Sequence, residues 1–341
     1  MPRPYLQQRT SMKAILISRT GGPEVLEHVE VPTPRPGPGE VLVRAHAIGL
    51  NYFDLLIRTG RYRWMPRLPF IPGNEMSGHV AALGPDARRW REGQAVFIAG
   101  YDIGNRGGLY AEYVTVPQDA VWPLPDGVDL DAAVALTNYQ LGYILLHQAA
   151  RGIEPRDVVV YGAAGGVGTA LIDVARLAGA RTIGVAGSPE KCAFVRRRGA
   201  DAGINYATEP VVDRVLALTG GRGADLLFDH VAGKGFADGL KMLAPLGMLV
   251  SYGLLGGMPE SNLFAEMRSN LERSPAVRCF TMHTFDHMPE PRRAAMAKVV
   301  ELLASGRIEP AIADRLPLGE AHRAHELIEI RRVLGKIVLK P

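Results

Sequence analysis

Hydrophobic residues follow two different patterns along the chain, and the change between them comes near Leu130. Before that point, short apolar and β-branched runs are separated by residues that favour turns, which predicts β-strands. These runs are Lys13–Ser18, Glu40–Leu50, Gly78–Gly84, Ala95–Gly100 and Tyr110–Pro117. We therefore expect the first part of the chain to form an irregular β-barrel.

Beyond Leu130, apolar residues recur at helical spacing, as at Leu141, Ile144 and Leu145, and strand-like and helix-like segments then alternate. The predicted strands are Val158–Tyr161, Thr182–Ala186, Gly203–Tyr206, Leu226–His230, Met248–Tyr252 and Val277–Thr281. Such alternation predicts an α/β fold, in which helices cover both faces of a doubly wound parallel sheet.

The β pattern returns near Pro310, and the chain closes with the apolar run Gly335–Lys340. We therefore predict that residues 12–129 and 310–341 form one domain, and that residues 130–309 form an α/β domain inserted between them. A chain of 341 residues has the length expected for two domains of about 150 residues each.

Composition excludes several classes of function. Apolar residues make up 47% of the chain and charged residues 22%, the usual mix for a globular protein. The net charge of +4 is diffuse and predicts no nucleic-acid partner, so the run Arg196–Arg198 is interpreted as solvated surface. Only two cysteines occur, Cys192 and Cys279, which excludes a four-cysteine zinc site and suits a reducing compartment.

Two segments bear on membranes and targeting. The longest uncharged run, Met242–Met258, is short for a membrane span and is interrupted by Pro245, so it is interpreted as a buried strand with flanking turns. Residues 1–11 lack the apolar core of a signal peptide and are expected to be mobile and without function, with Met12 as an alternative start. We therefore expect a cytoplasmic protein with no membrane partner.

A glycine-rich turn follows the predicted strand Val158–Tyr161 and leads into a helix, which is the setting of the dinucleotide fingerprint G-x-G-x-x-G. Its three positions hold Ala163, Gly165 and Gly168, so alanine replaces the first glycine. Gly165 is expected to let the backbone approach a diphosphate, and the amides of Gly166–Gly168 to bind it at a helix N-terminus. The alternative is a tight turn that binds no ligand.

The type of nucleotide is predicted from the residues after the second predicted strand of the α/β domain, Thr182–Ala186. NAD sites place an aspartate or glutamate there to bind the ribose hydroxyls. This chain has Gly187 and Ser188 instead, with Lys191 one helical turn later. A small hydroxyl residue and a cation suit an additional 2′-phosphate, which predicts NADPH over NADH. The alternative for Lys191 is a solvated lysine on a helix.

Five short motifs occur in order along almost the whole chain: GLNYFDLLIRTGRY, LPFIPGNEMSG, GAAGGVG, GSPEK followed by GADAGINY, and GKIVL. In these motifs the chain resembles the medium-chain dehydrogenase/reductase superfamily, and most of all its zinc-independent quinone oxidoreductase branch, which includes zeta-crystallin. The resemblance implies a Rossmann domain inserted into a GroES-like irregular β-barrel domain, and a homodimer.

The resemblance also implies roles for single residues. Lys191, Tyr206 and Arg331 are expected to bind the 2′-phosphate of NADP(H). The segment that starts at Asn51 is expected to face the nicotinamide, together with residues of the LTNY, YGLL and Phe280 regions. The residues implied for cofactor binding are Asn51, Tyr52, Thr137, Tyr139, Ala163, Gly165, Gly166, Val167, Gly168, Gly187, Ser188, Lys191, Tyr206, Val231, Tyr252, Gly253, Leu254, Leu255, Phe280 and Arg331.

No metal is predicted. Zinc alcohol dehydrogenases of the superfamily use a cysteine and a histidine in the segments that correspond to GLNYFD and PGNE. This chain has Asn51 and Asn74 there, and an amide is a poor zinc ligand. Glu75 alone does not make a metal site. His322 and His325 lie three residues apart on a predicted helix and are interpreted as a solvated helix face.

These features predict an NADPH-dependent oxidoreductase that transfers hydride to a quinone or a similar small electrophile. Asn51, with Tyr52 and Tyr62 as further candidates, is expected to contact the developing negative charge. One alternative is an alkenal or enoyl reductase that reduces an activated carbon–carbon double bond. Another is a non-catalytic, crystallin-like protein that only binds NADPH.

Overall fold

The computed structural model describes residues 10–341, which divide into two compact units. Unit 1 contains the described residues up to Thr137 and those from Val300 to Pro341, and unit 2 contains Asn138–Val299. The predicted insertion, residues 130–309, begins earlier and ends later than unit 2. The expectation for the leader falls mainly on residues 1–9, which lie outside the described residues.

Strands and helices are numbered along the chain. The strands are β1 (Ser11–Ile17), β2 (Leu26–Pro32), β3 (Glu40–Gly49), β4 (Glu75–Leu83), β5 (Ala95–Ala99), β6 (Tyr113–Pro117), β7 (Val121–Pro123), β8 (Asp157–Tyr161), β9 (Arg181–Ala186), β10 (Ala202–Asn205), β11 (Ala224–Asp229), β12 (Leu243–Ser251), β13 (Ala276–Cys279), β14 (Ile312–Pro317) and β15 (Lys336–Lys340). The α-helices are α1 (Tyr52–Arg58), α2 (Leu130–Ala133), α3 (Leu136–Ile144), α4 (Gly166–Leu177), α5 (Pro189–Arg197), α6 (Val211–Leu218), α7 (Asp238–Lys241), α8 (Leu263–Ser269), α9 (Glu290–Ala304) and α10 (Ala321–Glu329).

Unit 1 is built on a seven-stranded sheet and a separate antiparallel pair, β1 with β2. The sheet has the order β14-β15-β3-β4-β5-β7, and β6 also pairs with β3. Each strand predicted before Leu130 is present, whereas β2 and β7 were not predicted. In β2 the charged residues Glu27 and Glu30 face outward on a half-exposed strand, so its apolar pattern is too weak to read from the letters.

Unit 2 contains a six-stranded sheet in which all strands are parallel, in the order β10-β9-β8-β11-β12-β13. Counted within the unit this is 3-2-1-4-5-6, the strand order of the dinucleotide-binding Rossmann fold, so that expectation is confirmed. Val158, Val159 and Val160 at its centre are completely buried. Strand order reverses between β8 and β11, and ligands of such sheets bind beyond the carboxyl ends at this point.

The uncharged run Met242–Met258 consists mainly of β12, which lies between β11 and β13 as the buried strand that the sequence predicts. In residues 10–341, none of the helices combines the length and the apolar character that crossing a membrane requires.

Candidate active site

The turn between β8 and α4 depends on glycine at two points. Gly162 has φ +61°, and a Cβ atom there would lie 2.1 Å from the ring of His230, in the loop after β11. At Gly168 a Cβ atom would lie 2.4 Å from the carbonyl oxygen of Gly162. Neither position has space for a side chain, so the turn stays tight and the helix packs closely on its strand.

Ala163, which replaces the first glycine of the fingerprint, is completely buried against the neighbouring strand β9. The residue that faces it there is Gly184, where an added Cβ atom would lie 2.9 Å from the Ala163 methyl group. The methyl group of the turn therefore occupies space that a glycine on the next strand leaves open. This pairing explains why the departure from the fingerprint does not disturb the turn.

The N-terminus of α4 presents backbone donors. Gly165 is the N-cap residue, so the amides of Gly166, Val167 and Gly168 have no carbonyl partner within the helix. Gly165, Gly166 and Val167 are half-buried, and a Cβ atom at Gly165 would meet nothing closer than 3.5 Å. This end of the helix carries partial positive charge, so the arrangement can bind an anionic group that approaches the backbone.

The end of β9 has no carboxylate. Ser188 is the N-cap residue of α5, and its Oγ accepts a hydrogen bond of 3.2 Å from the backbone N–H of Lys191. The exposed ring of Tyr206 lies over Gly187, where an added Cβ atom would be 2.5 Å from the tyrosine hydroxyl. Gly187, Ser188, Lys191 and Tyr206 therefore lie close together beyond the carboxyl ends of β9 and β10, and β9 is the strand next to β8.

The loops after β11 and β12 lie on the other side of the point where strand order reverses. Asp229 is buried and accepts hydrogen bonds from the N–H groups of Val231 (2.6 Å) and Ala232 (3.2 Å). Burial raises the pKa of Asp229, and these two hydrogen bonds partly oppose that rise. Asp229 therefore shapes the turn that contains Val231.

The segment after β12 packs on the same turn. The ring of Tyr252 lies 5.5 Å from that of His230, and its buried hydroxyl makes no hydrogen bond with the described residues. At Gly253 a Cβ atom would lie 2.7 Å from the His230 carbonyl oxygen, which accepts from the N–H of Leu255 at 3.1 Å. Leu254 is half-exposed, and Phe280 donates its N–H to Ser251 at 2.8 Å.

In unit 1, Asn51 lies in a buried polar cluster that includes Lys336, Glu75 and Thr137. The Asn51 Oδ1 accepts a hydrogen bond of 2.7 Å from Lys336 Nζ, and its Nδ2 donates one of 2.8 Å to Glu75 Oε1. Lys336 also forms a salt bridge with Glu75, and the hydroxyl of Thr137 donates to the other oxygen of that carboxylate. A cation on the oxygen and a carboxylate on the nitrogen fix the orientation of the Asn51 amide.

Strand register brings this cluster together. Strands β15 and β3 are antiparallel, with Val338 opposite Gly49, so Lys336 comes beside the residues that follow β3. The carboxylate of Glu75 occupies the space above Gly49, where an added Cβ atom would lie 2.1 Å from it. The sequence alone does not indicate Lys336 as a site residue, because only the pairing of distant strands places it against Asn51.

Asp54 extends the cluster inward. Its carboxylate is completely buried and accepts a hydrogen bond of 2.9 Å from the backbone N–H of Asn51. Burial raises the pKa of Asp54 to about 7, and the nearby negative charge of Glu75 acts in the same direction. Burial also raises the pKa of Tyr110, together with the neighbouring carboxylates of Asp54 and Glu75.

Several predicted residues have other surroundings than expected. Tyr139 is buried, and its hydroxyl donates a hydrogen bond of 2.6 Å to Asp173 instead of lining an open cleft. Arg198, interpreted as solvated, donates to the same Asp173 carboxylate at 2.8 Å and is only 20% exposed. The prediction that His325 lies on a solvated helix face is wrong, because the side chain is completely buried and neither ring nitrogen makes a hydrogen bond with the described residues.

The remaining candidates are in unit 1. Tyr52 is 36% exposed at the start of α1, and the ring of Tyr62 packs edge-on against Phe53 at 4.5 Å. Arg331 is exposed and has φ +56°, in the connection between α10 and β15. Within residues 10–341 no group of three histidine, cysteine, aspartate or glutamate side chains is placed to hold a metal ion.

Two family models match the chain, one in each half. Residues 37–126 match the alcohol dehydrogenase GroES-like domain, and residues 166–304 match the model described as zinc-binding dehydrogenase. The first match confirms the GroES-like character expected of the β-rich domain.

Similar proteins cover almost the whole chain. The quinone oxidoreductase of Pseudomonas aeruginosa is 36% identical over 96% of this chain and 99% of its own length. The crystal structure of a quinone oxidoreductase from Pseudomonas syringae superimposes with a TM-score of 0.86 at 32% identity, and the alignment covers 97% of this chain and 100% of that one. The quinone oxidoreductase of Escherichia coli, complexed with NADPH, gives a TM-score of 0.85 at 29% identity, over 96% of this chain and 100% of that one. The chain therefore belongs to the medium-chain dehydrogenase/reductase superfamily, in its quinone oxidoreductase branch.

Proposed function

We propose that this protein is an NADPH-dependent oxidoreductase that reduces quinones without zinc. The observation that carries the proposal is at the end of β9. Ser188, Lys191 and Tyr206 lie close together there, and no carboxylate occupies the position that would bind the ribose hydroxyls of NADH. The neighbouring N-terminus of α4 can bind an anionic group. NADPH, when bound, supplies the hydride. Similar structures that contain NADPH, from Escherichia coli and a mycobacterium, support the choice of nucleotide.

The residues of unit 2 fit this cofactor. The amides of Gly166–Gly168 suit the diphosphate, and Lys191 and Tyr206 suit the 2′-phosphate. For Arg331 the same role is proposed from the likeness to the family alone. Val231, Gly253, Leu254, Leu255 and Phe280 are proposed to surround the nicotinamide half. The Tyr252 hydroxyl supports a ligand here, because a buried hydroxyl without a partner is costly unless a bound group pairs with it.

The residues present do not fit a catalytic zinc ion. Both polar ends of the Asn51 side chain are engaged, by Lys336 and by Glu75, and Glu75 is itself paired with Lys336. The Lys336 ammonium group already supplies the positive charge in this cluster, and a divalent ion beside it would be repelled. The proposed reaction therefore involves no metal ion.

Asn51 is the proposed polar contact for the negative charge that develops on the substrate. Its amide is held from both ends, so little reorganisation is required when charge appears. Tyr52 and Tyr62 are further candidates, and Tyr62 packs as an aromatic wall against Phe53. Thr137 and Glu75 act as positioning residues, since they hold Lys336 and Asn51 in place.

One kinetic panel tests the proposal. Purified protein is assayed by NADPH and NADH oxidation with simple quinones and with matched α,β-unsaturated ketones, and its zinc content is measured. We expect quinones to be reduced with a higher kcat/KM than the ketones, with NADPH preferred and without stoichiometric zinc. Preference for the ketones would favour the alkenal or enoyl reductase alternative, and binding of NADPH without turnover would favour the non-catalytic one.

We also propose a homodimer, which the family likeness suggests. Among the described strands, β13 pairs only with β12, so one edge of the parallel sheet is open. An open edge is a common site of strand pairing between copies. Light scattering that gives the mass of a single chain at micromolar concentration would contradict this part of the proposal.

A further inference from the structure

The segment from Leu55 to Asn74 in unit 1 is unusually basic. It contains four arginines and no aspartate or glutamate. Arg58 is buried and paired with Glu329, whereas Arg61, Arg63 and Arg67 are exposed and form no salt bridge with any residue of the range 10–341. These three arginines, which we call the arginine loop, therefore present uncompensated positive charge.

Aromatic rings connect the arginine loop to the proposed catalytic segment. Phe53, two residues after Asn51, packs against the ring of Tyr62 at 4.5 Å, and Tyr62 lies 5.6 Å from Trp64. The Arg63 guanidinium group lies 5.7 Å from the centre of the Trp64 ring, which is 48% exposed. A row of three rings thus leads from the first turn of α1 to an exposed cation.

Both ends of the segment are fixed by backbone hydrogen bonds. The N–H groups of Arg61 and Tyr62 donate to the Leu56 carbonyl oxygen at 2.8 and 3.1 Å. At the other end, Phe70 and Ile17 exchange two hydrogen bonds of 3.0 and 2.9 Å. Because the segment is pinned at both ends, ordering it on a ligand has a small entropic cost.

We infer that the arginine loop binds the anionic end of the substrate, and that the preferred substrates are flat aromatic quinones that carry a carboxylate, sulfonate or phosphate. This inference rests on the proposed function. Rings stack on or pack edge-on against flat aromatic ligands. Guanidinium groups pair with planar anions by charge-assisted hydrogen bonds, and Arg63 is already oriented beside the outermost ring.

The test compares two probes that share one quinone ring: 3-(1,4-naphthoquinon-2-yl)propanoate and its methyl ester. Because the charge is two carbons away from the ring, the two probes accept hydride almost equally well. With saturating NADPH, we expect the KM of the acid to be at least fivefold lower than that of the ester. In the triple variant Arg61→Gln/Arg63→Gln/Arg67→Gln this preference is expected to fall to about one, since each exposed pair contributes a small and additive share.

The matched control removes three exposed arginines elsewhere in unit 1, in Arg88→Gln/Arg89→Gln/Arg91→Gln. It changes the net charge equally and is expected to keep the preference for the acid. Equal KM values for acid and ester in the natural protein, or a preference that survives in the triple variant, would overturn the inference. Turnover of the ester would in either case leave the proposed function standing.

A binding measurement separates the two proposals if neither quinone is reduced. The non-reducible probes 3-(2-naphthyl)propanoate and its methyl ester are titrated without nucleotide, and quenching of tryptophan fluorescence is recorded. Tighter binding of the acid that is lost in the triple variant would support the arginine loop as an anion site even if the proposed function fails. Equal binding of the acid and its ester, or no binding of either, would count against the arginine loop as an anion site. The same holds if an oligonucleotide is the only competitor that displaces the acid.

Discussion

Ser188 combines two roles that a single substitution separates. Its side chain caps α5, and it stands where a carboxylate would select NADH. Aspartate caps helices as well as serine does, so Ser188→Asp keeps the cap and adds a negative charge. We expect the NADPH affinity to fall at least tenfold while the NADH affinity stays equal or rises, because the charge repels only the 2′-phosphate.

Fluorescence titration of both nucleotides measures this prediction. Ser188→Asn is the control, because asparagine also caps the helix but carries no charge. An equal loss of affinity for NADPH and NADH would mean that Ser188 acts on the helix and not on the phosphate.

Single residues also mark how far the sequence alone reaches. Ala163 is visible as a departure from the fingerprint, but the compensating Gly184 is not, because nothing in the letters says that the two residues face each other. Lys336 is equally hidden, since it resembles any lysine at a strand end until β15 pairs with β3. Residue types near a motif were predictable, whereas partners brought by strand register were not.

Among the elements, α4 shows how the site depends on close packing. A methyl group at Gly168 would lie 2.4 Å from the backbone oxygen of Gly162, which cannot move without opening the turn. We expect Gly168→Ala to reduce the free energy of unfolding by about 1–3 kcal/mol, as overpacking typically does, and to weaken NADPH binding at the same time. Chemical denaturation and nucleotide titration measure the two effects.

Gly235→Ala is the matched control in unit 2. No atom lies within 4 Å of the Cβ position at Gly235, so its effect on both quantities is expected to be small. If Gly168→Ala were as harmless as Gly235→Ala, the close approach of helix and strand would not matter for the site.

Helix α10 carries a pH dependence through His325. Burial, with the positive charge of Arg58 as a second cause, lowers the pKa of His325 to about 3. The unfolded chain binds a proton near pH 6.5 and the folded chain does not, so stability is full above that pH and is lost as the pH falls. Between pH 7.5 and 5.5 this single group should reduce the free energy of unfolding by about 1.4 kcal/mol.

Urea denaturation of the natural protein and of His325→Leu at the two pH values checks this prediction. The variant should lose less stability on acidification, whereas His322→Gln, at an exposed position of the same helix, should behave as the natural protein does. Equal losses of stability in all three proteins would contradict the assignment of this pH dependence to His325. The sequence placed His325 on a solvated face because a helical pattern shows spacing but not which side meets the core.

At the scale of the whole molecule, nucleotide binding should appear as added stability. A ligand present at 100 times its dissociation constant adds about 2.7 kcal/mol to the free energy of unfolding. We therefore expect NADPH to raise the calorimetric unfolding temperature of unit 2, and NADH at the same concentration to raise it less. Equal shifts with both nucleotides would contradict the predicted preference, and the difference should disappear in Ser188→Asp.

The architecture of the whole chain was the most predictable level. Alternating strand and helix patterns in the second half, and the return of β character at the end, are repeated signals that survive errors in any single element. The six parallel strands were therefore identified from the sequence. Strands β2 and β7 were not, because β2 has charged residues at its exposed positions and the three residues of β7 are too few to show a period.

The sheet of unit 1 is completed by the part of the described chain that is made last. Strand β15 lies between β14 and β3, so the end of β3 at Ile48 and Gly49 awaits a partner that is made after every strand of unit 2. The six strands of unit 2 come from one uninterrupted stretch and can assemble while translation continues. A nascent chain would thus hold a finished unit 2 while the end of β3 still lacks its partner, and that unpaired strand end is where a chaperone has the most to protect.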